Sequence, residues 1–326
     1  MGLDRKFFQE QDFDFSPSFK ELLLEVLGVP GKGLRGNLLR LAAGGELMGE
    51  ETPAIKSLSL GIEILHLATL IHDDLIDRGE LRRGQTAVWK KWGDKTAVLL
   101  GDYLFATAYQ MISKVSGAAG MKRVNLLLQE MVEAELEEEQ DRFHRVSVEK
   151  YLRRIEKKTA RFFQVVCELG AETAGFPRGT SLLLGEFGRE IGVAFQLLDD
   201  LLDVTGEKER IGKPLFQDLK NGVLTLPLLL IYEEPDFQQI LRQVQATGQL
   251  EPWMRETVNK LLAENHVPAA IWQLVDEGHR RAKKALRKLD LPHRARLYAF
   301  AERLLSRPLD RKLGQSTTEA EPNEAI

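Results

Sequence analysis

The chain has 326 residues, 43% of them hydrophobic and 29% charged, with a formal net charge of −4. This is the profile of a globular protein long enough for one large domain or two ordinary ones. The acidic balance offers no polyanion-binding surface, which excludes nucleic acid as a partner, and a single cysteine, Cys167, rules out an internal disulfide and suits a reducing cytoplasm.

Met1–Phe15 is charged and lacks the apolar run of a signal peptide. No apolar stretch is expected to reach the roughly 20 residues of a membrane span. Strand-like alternation is nowhere sustained, whereas helical periodicity runs nearly throughout. In chain order the predicted helices are Pro17–Leu27, Leu34–Leu47, Pro53–Asp77, Ala87–Val115, Lys122–His144, Val148–Ala174, Gly179–Thr205, Leu224–Glu233, Pro252–Asn265, Pro268–Leu289 and Pro292–Leu305. Breaks fall at Ser116–Gly120, Gly175–Gly179 and Gly206–Gly222, where glycine, proline and polar residues gather. No linker divides the chain, so residues 1–314 read as one all-α domain, with a polar, disordered tail at Gln315–Ile326. The longest helices are apolar around much of their circumference and belong inside a large bundle. Cys167, between Phe163 and Leu169, reads as a core thiol.

The most informative pattern occurs twice. Asp73, Asp74 and Asp77 follow the apolar segment Ile62–Ile71, and Asp199, Asp200 and Asp203 follow Gly192–Leu198. In each DDxxD pattern the first and last aspartates lie about 40° apart around a helix and one turn apart. Such clusters are usually solvated faces, but here Leu75–Ile76 and Leu201–Leu202 sit between the acids and the preceding turns are apolar. Carboxylates crowded beside a core repel one another and lose hydration. Oxygen-only donors with no nearby cysteine point to a hard cation, Mg²⁺, shared with substrate phosphates.

Basic residues accompany the aspartates: Lys32 and Arg35 near a helix start, Arg82 and Arg83 beyond the first motif, Lys158 beside Thr159, and Lys213 after the second motif. Arginine suits bidentate phosphate contact and lysine a point-charge contact. Each alone has a plain surface explanation; together they suit a diphosphate. His66 stands two helical turns before Asp73, on nearly the same side. The acidic run Glu133–Asp141 reads as a solvated helix face.

These motifs carry a resemblance. Glu63 to Tyr103 reads ExxH, HDDLID, RRG and LLGDY, and the later segment reads FQLLDDLLD, GKP, Asp218 and TLP. The chain closely resembles the trans-isoprenyl diphosphate synthases, or polyprenyl synthetases, from about Gly31 to the C-terminal helices. The resemblance implies the isoprenoid synthase fold, a helical bundle with a deep central cavity, usually as a homodimer. It implies about three Mg²⁺ ions on Asp73, Asp74, Asp77, Asp199 and Asp200, with Asp203 a weaker member. Arg82, Lys158 and Lys213 would grip an allylic diphosphate, while Lys32, Arg35, His66 and Arg83 would bind isopentenyl diphosphate. Thr159 and Gln196 would support a cationic intermediate through their oxygens. The activity implied is head-to-tail prenyl transfer to a linear all-trans polyprenyl diphosphate.

In such enzymes the residues four and five before the first aspartate can form a floor under the growing chain. Here they are Thr69 and Ala68, both small, which implies products of twenty carbons or longer, with Phe105 and Tyr109 as candidates for a deeper floor. The chain departs from the family at Gly33, often Arg, at Gly36, often Pro, and at Val223, often Lys; Lys220 would partly replace the last. Similar variation is found in catalytic subunits of long-chain (hexaprenyl/heptaprenyl type) synthases that work with a small non-catalytic partner. A non-catalytic subunit is the rival reading, and intact aspartate clusters speak against it. A terpene cyclase is disfavoured by the pattern at Lys32, Arg35 and His66.

Overall fold

Helix starts along this chain are set by hydroxyl caps and proline. In the computed structural model, which describes residues 16–28, 31, 33–45, 51–82, 84–206 and 215–306, α1 (Pro17–Leu27) opens on Ser16, whose Oγ accepts from the Phe19 amide at 3.4 Å. Gly33, at a φ of 57° that only glycine adopts cheaply, begins α2 (Leu34–Ala42). Thr52 caps α3 (Pro53–Ile76) by accepting from the Ile55 amide at 3.3 Å. After α3 comes a two-stranded hairpin, β1 (Leu81–Arg82) paired antiparallel with β2 (Gln85–Thr86), and it is the only sheet among the described residues.

The predicted helix Ala87–Val115 breaks at Gly93, giving α4 (Val88–Trp92) and the first part of α5 (Asp94–Gln140). Gly117 has non-helical dihedrals (φ 59°, ψ −165°) inside α5, within the predicted break. The chain doubles back there. His72 touches the position of Gly101, and Glu135 acts electrostatically on Asp73 and Asp77. A straight helix would hold residues 101 and 135 about 51 Å apart, so α5 consists of two arms folded against one another.

α6 (Val148–Ile155), a π-helical turn (Glu156–Ala160) and α7 (Arg161–Thr173) replace the single predicted helix Val148–Ala174. Then follow α8 (Arg178–Thr205), α9 (Gln217–Lys220), α10 (Leu226–Leu230), α11 (Pro235–Thr247), α12 (Pro252–Glu264), α13 (Val267–Arg287) and α14 (Arg294–Leu305). α11 is not among the predicted helices; its buried stripe is Phe237, Ile240, Leu241 and Val244, and Gly248 ends it at a φ of 66°. The predicted tail, 315–326, lies outside the described residues.

α3 and α8 are the central helices: α3 packs on α5, and α8 lies between α7 and α13. Contrary to expectation, α3 is long and apolar enough by composition to cross a membrane, with a mean hydropathy of 1.5 over 18 residues. Half of that window is buried inside the protein, where Ile62, Ile64, Leu65 and Ala68 expose nothing. Its apolarity is therefore that of a core helix. Cys167 is buried and unpaired, as expected of a core thiol.

Candidate active site

The first aspartate cluster sits where α3 stops. Asp77 caps the helix, and Arg78 takes a left-handed φ of 53°. The Gly79 amide then returns to the Asp74 carbonyl at 2.9 Å, and the Trp89 indole donates to the Gly79 carbonyl at 2.8 Å. This pinned turn sends the β1–β2 hairpin back over the helix end. Arg82 is thereby laid on Asp74, its Nε donating to both carboxylate oxygens at 2.9 and 3.0 Å and its Nη2 also donating to Oδ1. Asp74 is buried, so its charge is desolvated but paired.

Asp73 has no such partner. Among the described residues no donor hydrogen-bonds its carboxylate, and burial pushes it up to about 7. Lys158 pulls against this rise, while Glu135 and Asp77 add to it. Asp77 is raised as well, by burial opposed by Lys158.

The second cluster is carried by α8. A Cβ at Gly192 would lie 2.7 Å from the Ala160 Cα, so only glycine lets α8 press against the π-turn. That contact brings Thr159 to Gln196: the threonine hydroxyl donates to Gln196 Oε1 at 2.7 Å, and Gln196 Nε2 donates to Asp200 Oδ1 at 2.7 Å. The Tyr151 hydroxyl donates to the other oxygen of Asp200. Asp200 is nevertheless raised to about 7, because burial outweighs the two hydrogen bonds and the neighbouring Asp199 adds to it. Gln196, expected to support a cation through its oxygen, accepts there from Thr159 and also donates to Asp200.

Asp203 is turned another way. It is buried, and its two oxygens accept from the backbone amides of Gln217 (3.3 Å) and Asp218 (3.4 Å), while its carbonyl accepts from Phe216 at 2.8 Å. It ties Phe216, Gln217 and Asp218 to α8.

Lys158 stands between the clusters. Its ammonium bridges Glu135 Oε2 at 2.7 Å and Glu138 Oε1 at 2.8 Å. Burial alone would lower its pKa, but the two glutamates outweigh that and hold it raised, fully charged. The charge of Glu138 acts both on Asp77 from the first cluster and on Asp200 from the second. One glutamate is thus within electrostatic range of both aspartate clusters. The run Glu133–Asp141, expected to be a solvated face, is a correction here. Glu138 and Asp141 are only 16% exposed, and both pair with Arg154, which is itself 3% exposed.

A second basic cluster forms between α2 and α3. Arg35 Nη1 donates to His66 Nε2 at 2.8 Å, which leaves the imidazole proton on Nδ1. The Arg35 guanidinium lies 4.8 Å over Phe162. The family resemblance implies one site for these two residues, and the fold brings them into contact. Gly36 donates its amide to Glu63 Oε1 at 2.6 Å, a bond that proline at this position would lack. Lys32, Arg83 and Lys213 lie outside the described residues. Val223 donates its amide to the Asp218 carbonyl at 2.8 Å, and Lys220 is exposed, its charge felt at Glu80.

Of the predicted chain-length residues, Ala68 is fully buried. Thr69 donates its hydroxyl to the His66 carbonyl at 2.8 Å. Phe105 packs on His72 at 5.5 Å and on Tyr109 at 6.3 Å. Tyr109 faces a groove of about 690 Å³ lined also by Leu128, Val132 and Leu136 of the second α5 arm.

Among the described residues, no three carboxylate, imidazole or thiol groups already enclose a metal position. That suits Mg²⁺, which keeps its waters and uses one or two carboxylates plus substrate phosphates. Asp73, raised by burial and without a donor, is the carboxylate here that calls for a cation, so the residues present fit the ion.

A family model described as polyprenyl synthetase matches residues 16–261. The heptaprenyl diphosphate synthase component 2 of Bacillus subtilis (strain 168) is 32% identical over 259 residues, covering 78% of this chain and 73% of that protein. A geranylgeranyl diphosphate synthase of Methanosarcina mazei is 32% identical over 284 residues, covering 85% and 86%. A polyprenyl synthase from Caulobacter crescentus CB15, solved with calcium and isoprenyl diphosphate, superposes with a TM-score of 0.83 at 29% identity and covers 94% of each chain.

Proposed function

The chain belongs to the polyprenyl synthetase family and is a trans-prenyltransferase, and from that premise we propose that it joins isopentenyl diphosphate to an allylic diphosphate. The product is a linear all-trans polyprenyl diphosphate of twenty carbons or longer, with diphosphate released. One observation carries the reading: Glu138 is felt by both aspartate clusters, with the Lys158 ammonium between them.

Arg82, Lys158 and Lys213 grip the allylic diphosphate, and Arg35 and His66, with Lys32 and Arg83, hold isopentenyl diphosphate. Asp73, Asp77, Asp199 and Asp200 hold the metal, Asp74 orients Arg82, and Asp203 orders the segment beside the site. Mg²⁺, on which the family depends, would supply charge neutralisation to the leaving diphosphate. Arg82 and Lys158 stabilise the same developing charge as the allylic C–O bond breaks. The isopentenyl double bond attacks the resulting carbon, and the proton then lost goes to the departing diphosphate. Apolar side chains of α3, α5 and α8 exclude water that would quench the cation.

The small Ala68 and Thr69, together with relatives named for geranylgeranyl and heptaprenyl products, support the longer chain length. Association is supported by the groove on α5, where Val132 and Leu136 are each 60% exposed. A homodimer fits this face, and so does a small non-catalytic subunit, since one relative is named as a component of a synthase. Intact aspartate clusters disfavour a non-catalytic role for this chain. The lone buried Cys167 supports a cytoplasmic location.

The test is to incubate the pure chain with labelled isopentenyl diphosphate, allylic primers of several lengths and Mg²⁺, then size the products. Prenyl chains of twenty carbons or more are expected, and excess chelator should abolish them. Turnover that survives chelation would overturn the metal reading. Product formed only after a second subunit is added would establish the heteromer. Ala68→Phe should shorten the product, at a packing cost of about 1–3 kcal/mol; unchanged length in a folded variant would move the limit elsewhere.

A further inference from the structure

Two neighbouring lysines in the π-turn make the same kind of bridge in different surroundings. Lys157 spans Glu133 at 2.9 Å and Glu137 at 3.1 Å, and Glu133 is 61% exposed. Lys158 spans Glu135 at 2.7 Å and Glu138 at 2.8 Å, and Glu138 is 16% exposed. A surface bridge of the first kind contributes little to anything. The second differs because Glu138 is itself fixed from behind. Its Oε2 faces Arg154 Nε at 3.4 Å, and Arg154 also reaches Asp141 at 3.3 Å, which Lys150 grips in turn at 2.7 Å. A buried guanidinium thus sets one carboxylate oxygen, and the other oxygen sets the lysine.

We propose that Glu138, backed by Arg154 and assisted by Glu135, is a positioning residue that holds the Lys158 ammonium at the point where the two aspartate clusters meet. The inference rests on the assignment of Lys158 as a diphosphate ligand. A lysine carries four rotatable side-chain bonds, whose freedom opposes any fixed contact. Tethered to Glu138, Lys158 meets the incoming diphosphate already in place. The π-turn serves the same end. It inserts extra backbone into the helix, so that consecutive lysines reach separate glutamate pairs on the second α5 arm.

The experiment is a double-mutant cycle on full-length protein with an allylic diphosphate and isopentenyl diphosphate varied in turn. Glu138→Gln should lower kcat/KM for the allylic diphosphate about 10- to 100-fold, the scale of a small misplacement, with KM for isopentenyl diphosphate held within about twofold. Glu138→Asp should recover part of that loss. In a Lys158→Ala background, Glu138→Gln should add nothing further, because it acts through that lysine. Glu133→Gln, whose carboxylate among the described residues pairs only with Lys157, should leave the rate unchanged. The proposal is overturned if Glu138→Gln keeps the allylic kcat/KM within about twofold of wild type. It is equally overturned if the losses add in the double variant, or if both substrates weaken together with a lowered Tm, which would make the role structural. A wild-type chain that turns over no allylic diphosphate would instead take down the synthase reading, and this inference with it.

Discussion

The first aspartate cluster has its middle carboxylate clamped by Arg82, while Asp73 and Asp77 remain exposed to the charge of Lys158. In the second, Asp200 is held by Tyr151 and Gln196, and Asp203 is consumed by backbone amides. One sequence pattern thus does two jobs. The difference comes from where each helix ends. α3 stops within its motif, at Asp77, so the chain can fold an arginine back over it. α8 continues two residues past Asp203, to Thr205, and the amides of Phe216, Gln217 and Asp218 dock on the last aspartate.

The largest expected effect tests whether the first cluster does the metal-dependent work. Asp73→Asn should cut kcat by about 10³-fold or more, the scale of losing a principal electrostatic element. Asp203→Asn should cost only about 10-fold, chiefly by loosening the segment at Gln217–Asp218, and should lower Tm as well. Steady-state kinetics beside thermal melts would separate the two. Equal losses in kcat with unchanged Tm would erase the asymmetry.

Next in size is Tyr151→Phe, which removes one hydrogen bond from a buried carboxylate. A bond to a charged group contributes about 1.5–3 kcal/mol, so a fall in kcat/KM on the order of 10-fold is expected. The Mg²⁺ dependence should shift with it. Loss of activity with an unaltered Mg²⁺ requirement would mean that Tyr151 does not act through Asp200.

Much of this was legible beforehand, and the illegible parts share a cause. The helices carrying both motifs follow from apolar periodicity and proline starts, while the grouping of Arg35 with His66 came from the family resemblance. Glu135 and Glu138 were missed because acids occupy nearly every position from Glu135 to Glu139, which hides the period that marks an inward face. Only the partners, Lys158 and Arg154 from another part of the chain, select which ones turn in. Asp203 was grouped with its neighbours by pattern, and the pattern gave no sign that its oxygens would also accept from the amides of Gln217 and Asp218 at the start of α9. Tyr151 carried no local signal, since its value lies in a hydrogen bond 49 residues away.

The smallest effect probes the energetics of the second cluster without any substrate. Asp200 titrates near 7 in the folded chain and near the ordinary carboxylate value of 3.8 when unfolded, so between those values the native state binds more protons. Stability must therefore fall as pH rises from about 4 to about 7 and stay low above it. Asp200→Asn abolishes that titration, and the Tyr151 hydroxyl can turn to accept from the new amide. Without metal, the variant should be more stable than wild type at pH 8, by about 1 kcal/mol, and should lose that advantage at pH 5. Asp203→Asn should show no such gain, because Asp203 already draws on two backbone amides that an amide side chain serves less well. Mg²⁺ with inorganic pyrophosphate should stabilise wild type more than Asp200→Asn, closing the gap at pH 8. Urea unfolding at the two pH values measures all of this. A variant less stable than wild type at pH 8 would show that the buried carboxylate is not held under electrostatic tension, and the need for a cation at the second cluster would lose its physical basis.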